Sequence, residues 1–107
     1  MRDFVHVDDV AAANLAAAHL IETERSGFTA VNVCSGRPMS ILQVATALCE
    51  ARGGAGDAVA PVVTGQYRNG DVRHIVADPR RAEQVLGFRA AVDPRDGLRE
   101  FAFAPLR

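Results

Sequence analysis

Apolar residues recur at helical spacing in some parts of this chain and form short runs in others, and these two patterns predict its elements. From Val10 to Ile21 they recur at helical spacing, and the aspartates at 8–9 place acceptors and negative charge at the start of a helix that fades near Arg25. A second helix begins at Ser40, because the sequence SILQ is a capping box, and it ends at the glycines of the stretch GGAG, residues 53–56.

Two further helices are predicted in the last third of the chain. Asp78-Pro79 and Asp93-Pro94 each put a capping carboxylate before a proline that suits the first helical turn, and Gly87 marks the end of the earlier helix. Short β-branched and apolar runs predict strands at residues 3–7, 28–35, 61–65 and 74–78. This order predicts an α/β fold of a few strands and about four helices, in which the first strand–helix–strand unit is parallel and right-handed.

Composition narrows the chemistry that the chain can perform. Of the 107 residues 49% are hydrophobic, but nineteen are alanine, so we expect a shallow core and helices that pack closely on another surface. The net charge of −1 argues against nucleic-acid binding by bulk charge. All twelve basic residues are arginines, which excludes Schiff-base chemistry, a Walker lysine and a tyrosine–lysine catalytic pair.

The cysteines and the apolar runs indicate a cytoplasmic protein that does not bind membranes. Cys34 and Cys49 match no C-x-x-C pattern, and we expect two buried free thiols. Charged residues at positions 2, 3, 8 and 9 do not fit a signal peptide, and no apolar run approaches the roughly 20 residues of a membrane span.

No complete catalytic constellation is visible in the sequence. There is no G-x-S-x-G motif, and neither cysteine has a histidine nearby in sequence. His6, Asp8 and Asp9 are possible metal ligands, but a strand and a helix start rarely bring three such residues together. We therefore predict no catalytic residue, no cofactor-binding residue and no metal ligand.

The stretch QYRNGDVRH, residues 66–74, can be an ordinary polar turn or an anion site. Asn-Gly is a strong turn signal, and arginines beside a turn are usually solvated. Alternatively, Arg2 and Arg68 can grip a diphosphate with their planar guanidinium groups, while Asp71 accepts hydrogen bonds from sugar hydroxyls. Spacing in the sequence does not decide whether Arg2 and Arg68 meet.

Three segments in this order resemble one family. RDFVHVDDVA at 2–11, AVNVCSGRPMSILQVA at 30–45 and YRNGDVRHIVADPRRAEQVLGF at 67–88 are similar to the C-terminal part of the extended short-chain dehydrogenase/reductases, in the NAD-dependent epimerase/dehydratase family that acts on nucleotide sugars. The pattern is closest to UDP-glucose 4-epimerase-like and dTDP-L-rhamnose 4-epimerase-like members. The resemblance implies the C-terminal portion of a Rossmann-like fold.

The same resemblance assigns roles to four residues. It implies that Arg2 and Arg68 contact the diphosphate of the substrate and that Asp71 holds the nucleoside ribose. Phe4 lies near the nucleotide in this scheme. These are the substrate-binding residues that the resemblance predicts.

The chain also departs from the family's pattern. The glycine-rich NAD loop, the Y-x-x-x-K pair and the catalytic serine or threonine are absent from the sequence. We therefore expect residues 1–107 to form a single partial domain for nucleotide-sugar binding, truncated or split from an N-terminal NAD-binding part. NAD is then a cofactor of full-length relatives that this chain does not bind alone.

The resemblance further implies an isolated chain that is catalytically inactive and binds a nucleoside diphosphate sugar. Its expected protein partner is a separately encoded N-terminal half or a second copy of itself. The alternative is a non-catalytic module, for nucleotide-sugar binding or for interaction, that completes a separately encoded N-terminal half. The sugar, the base and the choice between epimerisation, dehydration and reduction stay open.

Overall fold

Four helices form the framework of the protein. The computed structural model describes residues 1–23, 27–53 and 59–105, and within them α1 spans Val7–Thr23, α2 Ile41–Arg52, α3 Arg80–Leu86 and α4 Pro94–Phe103. All four predicted helices are therefore confirmed. The predicted end of the first helix near Arg25, and residues 54–56 of the glycine-rich stretch, lie outside the described residues.

The predicted strands are wrong in the described part of the chain. Residues 3–7, 28–35, 61–65 and 74–78 form no ladder, and pairing is limited to two isolated bridges of Arg2, antiparallel to Met39 and parallel to Ile75. A strand requires a neighbour for its backbone groups, and a β-branched or apolar run alone does not supply one. Val62 and Val63 accordingly remain 85% and 75% exposed. For the same reason, the described residues do not form the predicted parallel strand–helix–strand unit.

Local sequence signals determine most helix ends. The Ser40 hydroxyl accepts a hydrogen bond from the Gln43 N–H at 3.1 Å, and the Ser40 N–H donates to Gln43 Oε1 at 2.8 Å, which is the predicted capping box. Gly87 ends α3 with a left-handed φ of 62°, where a side chain would be strained. Asp93 caps α4 ahead of Pro94.

The first helix starts differently from the prediction. It begins at Val7, so Asp8 and Asp9 lie in its first turn instead of preceding it. The cap is His6, whose Nδ1 accepts a hydrogen bond from the Asp8 N–H at 3.3 Å. Asp9 points inward, where its carboxylate oxygens accept hydrogen bonds from the N–H groups of Ala91 and Val92 at 2.9 and 3.1 Å. Asp9 therefore ties α1 to the segment between α3 and α4.

The helices pack in two pairs, and a small core lies with the first pair, α1 and α3. Ala13 of α1, Ala82 of α3 and Phe88 form the buried cluster, with the partly buried residues Val31, Val33, Leu86 and Ala90 around it. The second pair is α2 with α4, where the Arg52 guanidinium lies 5.4 Å from the centre of the Phe103 ring. The shallow core expected from the alanine content is confirmed, since none of the larger side chains described is fully buried.

Candidate functional site

The stretch around Asn69-Gly70 forms the predicted turn. The Asp71 N–H donates to the Arg68 carbonyl oxygen at 3.2 Å. Gly70 has a φ of 89° and Asn69 does not have a positive φ, and these signs of φ match a type II turn. The turn leaves the side chains of Arg68 and Asp71 exposed at the surface. Both are therefore accessible to a ligand.

Arg2 is held against this turn by its backbone and its side chain. Its N–H donates to the Met39 carbonyl oxygen at 2.9 Å and its carbonyl oxygen accepts from the Met39 N–H at 2.8 Å. Its guanidinium donates to the carbonyl oxygen of Val72 at 2.6 Å and to that of Met1 at 3.0 Å. Because Val72 directly follows Asp71, the Arg2 guanidinium lies beside the end of the turn.

The Arg2 side chain keeps hydrogen-bonding capacity beyond these two contacts. A guanidinium carries five N–H donors, and two are used by backbone carbonyl oxygens. The remaining donors belong to a half-buried side chain whose orientation is fixed by those contacts. An arginine oriented in this way loses little conformational entropy when it binds an anion. Arg2, Arg68 and Asp71 therefore belong to one surface region.

Phe4 lies in a different place. It lines an apolar groove of about 480 Å³ together with Val44 and Leu48 of α2 and Leu98 and Phe101 of α4. The residues Arg2, Arg68 and Asp71 do not line this groove. The structure thus brings three of the four predicted substrate-binding residues to one region and places the fourth on the α2–α4 side.

Asp3 is a positioning residue that the sequence reasoning missed. Its carboxylate accepts hydrogen bonds from the N–H and hydroxyl of Ser35, both at 2.7 Å, and from the Gly36 N–H at 2.9 Å. Since Asp3 lies between Arg2 and Phe4 in sequence, these bonds fix the backbone from which both side chains emerge. A contact across 32 residues leaves no periodic or short-motif signal.

The two cysteines and the possible metal ligands are the remaining candidates for reactive groups. Cys34 is buried and Cys49 half-buried, both as free thiols, and burial followed by the nearby Asp3 carboxylate raises the pKa of Cys34. Within residues 1–23, 27–53 and 59–105, no three histidine, cysteine, aspartate or glutamate side chains are grouped to hold a metal ion. None of the helices in the described ranges is long and apolar enough to cross a membrane.

The chain is similar to nucleotide-sugar 4-epimerases over most of its length. It is 32% identical over 100 residues to a UDP-glucose 4-epimerase of Dictyostelium discoideum. The matched region covers 94% of this chain and 28% of that protein. It is 34% identical over 91 residues to UDP-glucose 4-epimerase GEPI42 of Cyamopsis tetragonoloba, and this match covers 84% of this chain and 25% of that protein. It is 33% identical over 99 residues to a dTDP-L-rhamnose 4-epimerase of Burkholderia thailandensis, and this match covers 92% of this chain and 25% of that protein.

These matches concern only part of each relative. The chain spans about a quarter of the length of the curated relatives that it matches. No family model matches the chain, and no solved structure matches it significantly.

Proposed function

We propose, from the premise that this chain belongs to the NAD-dependent epimerase/dehydratase family of nucleotide-sugar enzymes, that it supplies the diphosphate-binding surface of such an enzyme. In this proposal residues 1–107 act as a C-terminal, nucleotide-sugar-binding region. The substrate class is a nucleoside diphosphate sugar. This class agrees with what the names of the relatives state for those proteins.

The observation that carries the proposal is the position of Arg2 beside the turn of residues 68–71. The hydrogen bond from the Arg2 guanidinium to the Val72 carbonyl oxygen supports a site that Arg2 shares with Arg68 and Asp71, because Val72 directly follows the turn. Arg2 and Arg68 donate to the phosphate oxygens, since a guanidinium matches phosphate geometry with two parallel bonds. Asp71 accepts hydrogen bonds from the ribose hydroxyls.

Phe4 stays a prediction of the family resemblance. It lies in the apolar groove between α2 and α4, and no contact in the described structure connects it to the turn. The proposed binding site therefore consists of Arg2, Arg68 and Asp71 alone.

The same family membership suggests how the chemistry is divided. NAD is the redox cofactor of the reaction in full-length relatives, where it takes and returns a hydride. We propose that this chain contributes substrate binding and that the isolated chain has no epimerase activity. The absence of lysine from its sequence supports this division, because the family's proton-transferring tyrosine is paired with a lysine. No observation favours the alternative of a non-catalytic module.

The experiment that tests the proposal is a calorimetric titration of the chain with UDP and with dTDP. The variant Arg68→Ala should weaken binding by about 1.5–3 kcal/mol, the range for a hydrogen bond to a charged group. Arg81→Ala is the matched control, since Arg81 is an exposed arginine on α3 and is not part of the turn. Equal affinities of the two variants would remove Arg68 from the site.

A further inference from the structure

The His6 side chain lies where the two helix pairs of the protein meet. It directly precedes α1, which packs on α3, and its ring rests on α4, which packs on α2. A Cβ atom added at Gly97 of α4 would lie 3.1 Å from His6 Cδ2, closer than packed side chains normally approach. Gly97 thus leaves room for the ring, although a glycine inside a helix lowers helix stability. The His6 side chain is accordingly only 15% exposed.

The hydrogen bonds of the ring define its tautomer in the neutral form. His6 Nδ1 accepts a hydrogen bond from the Asp8 N–H at 3.3 Å, and this acceptor caps the first turn of α1. A neutral imidazole accepts at one nitrogen and carries its proton on the other, so the proton of His6 is on Nε2. Nε2 lies 3.6 Å from the carboxylate of Glu100 on α4. Neutral His6 therefore accepts from α1 and directs its own N–H toward α4.

Protonation reverses the role of one ring nitrogen, because both nitrogens of a charged imidazole are donors. Nδ1 then no longer accepts from the Asp8 N–H, and the first turn of α1 loses its cap. Among the described residues, two carboxylates face the ring, Asp8 from α1 and Glu100 from α4, each 3.6 Å from the nearer nitrogen. Both side chains are exposed and free to rotate, so each can accept a hydrogen bond from the charged ring.

We propose that His6 is a pH-operated cap of α1, built into the junction between the two helix pairs. In the neutral form the ring caps α1 through Nδ1. When Nδ1 takes up a proton from water, it donates to the Asp8 carboxylate while Nε2 donates to Glu100, and the Asp8 N–H is left to the solvent. The exchange falls near neutral pH, where histidine side chains ordinarily change charge. It does not rest on the proposed function, because none of these contacts involves the diphosphate-binding residues.

The test is an NMR titration of the whole chain from about pH 8 to about pH 5, a range above that in which ordinary carboxyl groups titrate. At the upper end, the ring nitrogen resonances of His6 should show a proton on Nε2 and none on Nδ1. As Nδ1 becomes protonated, the Asp8 amide proton resonance should move upfield, because its hydrogen bond to the ring is lost. A cross-peak between His6 Hδ2 and Gly97 Hα should persist throughout, since the ring stays on α4.

Two variants separate His6 from other titrating groups. His6→Asn keeps a capping acceptor that does not ionise, so the Asp8 amide resonance should stay in place over the whole range. His19→Asn is the matched control, because it removes an exposed histidine of α1 and should leave the response of Asp8 as in the parent.

The parent chain alone can overturn the proposal. A proton on Nδ1 at the upper end of the range would do so, as would a ring that stays neutral down to about pH 5 or an Asp8 amide that does not move when the ring is protonated. A response that persists in His6→Asn, or that disappears in His19→Asn, would assign the change to another group and overturn it as well.

Discussion

The guanidinium of Arg2 and the carbonyl oxygen of Val72 are 2.6 Å apart, across 70 residues of sequence. This hydrogen bond, with the pairing of Arg2 and Met39, positions the start of the chain beside the turn that carries Arg68 and Asp71. The proposed diphosphate site depends on this relationship. Neither segment forms such a surface alone.

Arg2→Lys should weaken UDP binding while keeping the charge. A lysine has one nitrogen, which cannot hold the Met1 and Val72 carbonyl oxygens and also present a planar pair of donors to a phosphate. We expect a loss of about 1 kcal/mol, measured by calorimetric titration. Arg99→Lys on α4 is the control, and it should leave the affinity unchanged. A lysine variant that binds UDP as tightly as the parent would show that the guanidinium fork of Arg2 has no part in binding.

Asp9→Ala should lower the free energy of unfolding by about 3 kcal/mol. The change leaves the N–H groups of Ala91 and Val92 without the charged acceptor that the buried Asp9 supplies. Asp8→Ala, one residue earlier and exposed, should cost about 0.5 kcal/mol or less. Urea unfolding of the two variants measures this difference. Similar losses for both would mean that Asp9 does not anchor α1.

Asp78 should titrate well below an ordinary aspartate. Hydrogen bonds from the Arg80 side chain, and then from its backbone N–H, lower the pKa of Asp78 from 3.8 to about 2. Because the pKa is lowered in the folded state, the contribution to stability is present above the unfolded pKa of about 3.9 and is lost as the pH falls through 2. Both side chains are exposed, so the energetic effect is screened.

The titration can be followed by the carboxyl carbon resonance of Asp78 in an NMR experiment. Arg80→Ala should move the midpoint up toward about 3.9, and Arg81→Ala should leave it in place. A midpoint for the parent chain near 3.9 would contradict the paired geometry of Asp78 and Arg80.

The parts of the structure that could be predicted from sequence are those that depend on neighbouring residues. The capping box at Ser40, the left-handed Gly87 and the Asp93-Pro94 start of α4 each satisfy backbone groups within one helical turn, so short motifs reveal them. The turn at Asn69-Gly70 was predictable for the same reason.

The parts that could not be predicted depend on distant contacts. Strand prediction failed because residues such as Val62 and Val63 have an apolar pattern but no neighbour to pair with in the described structure. The anchoring roles of Asp3 and Asp9 rest on hydrogen bonds across 32 and 82 residues, which no local pattern encodes. The position of Arg2 beside the turn required the structure, although the family resemblance had assigned both segments to the diphosphate.

The most direct test of the central claim is an amide nitrogen–proton NMR spectrum of the chain titrated with UDP, with dTDP and with uridine as the phosphate-free control. A ligand held by Arg2, Arg68 and Asp71 should shift the resonances of Arg2 and of residues 68–72, and uridine should shift Arg2 much less than UDP does. Dispersed spectra in which UDP leaves these resonances unmoved, or shifts only residues elsewhere, would contradict the diphosphate site.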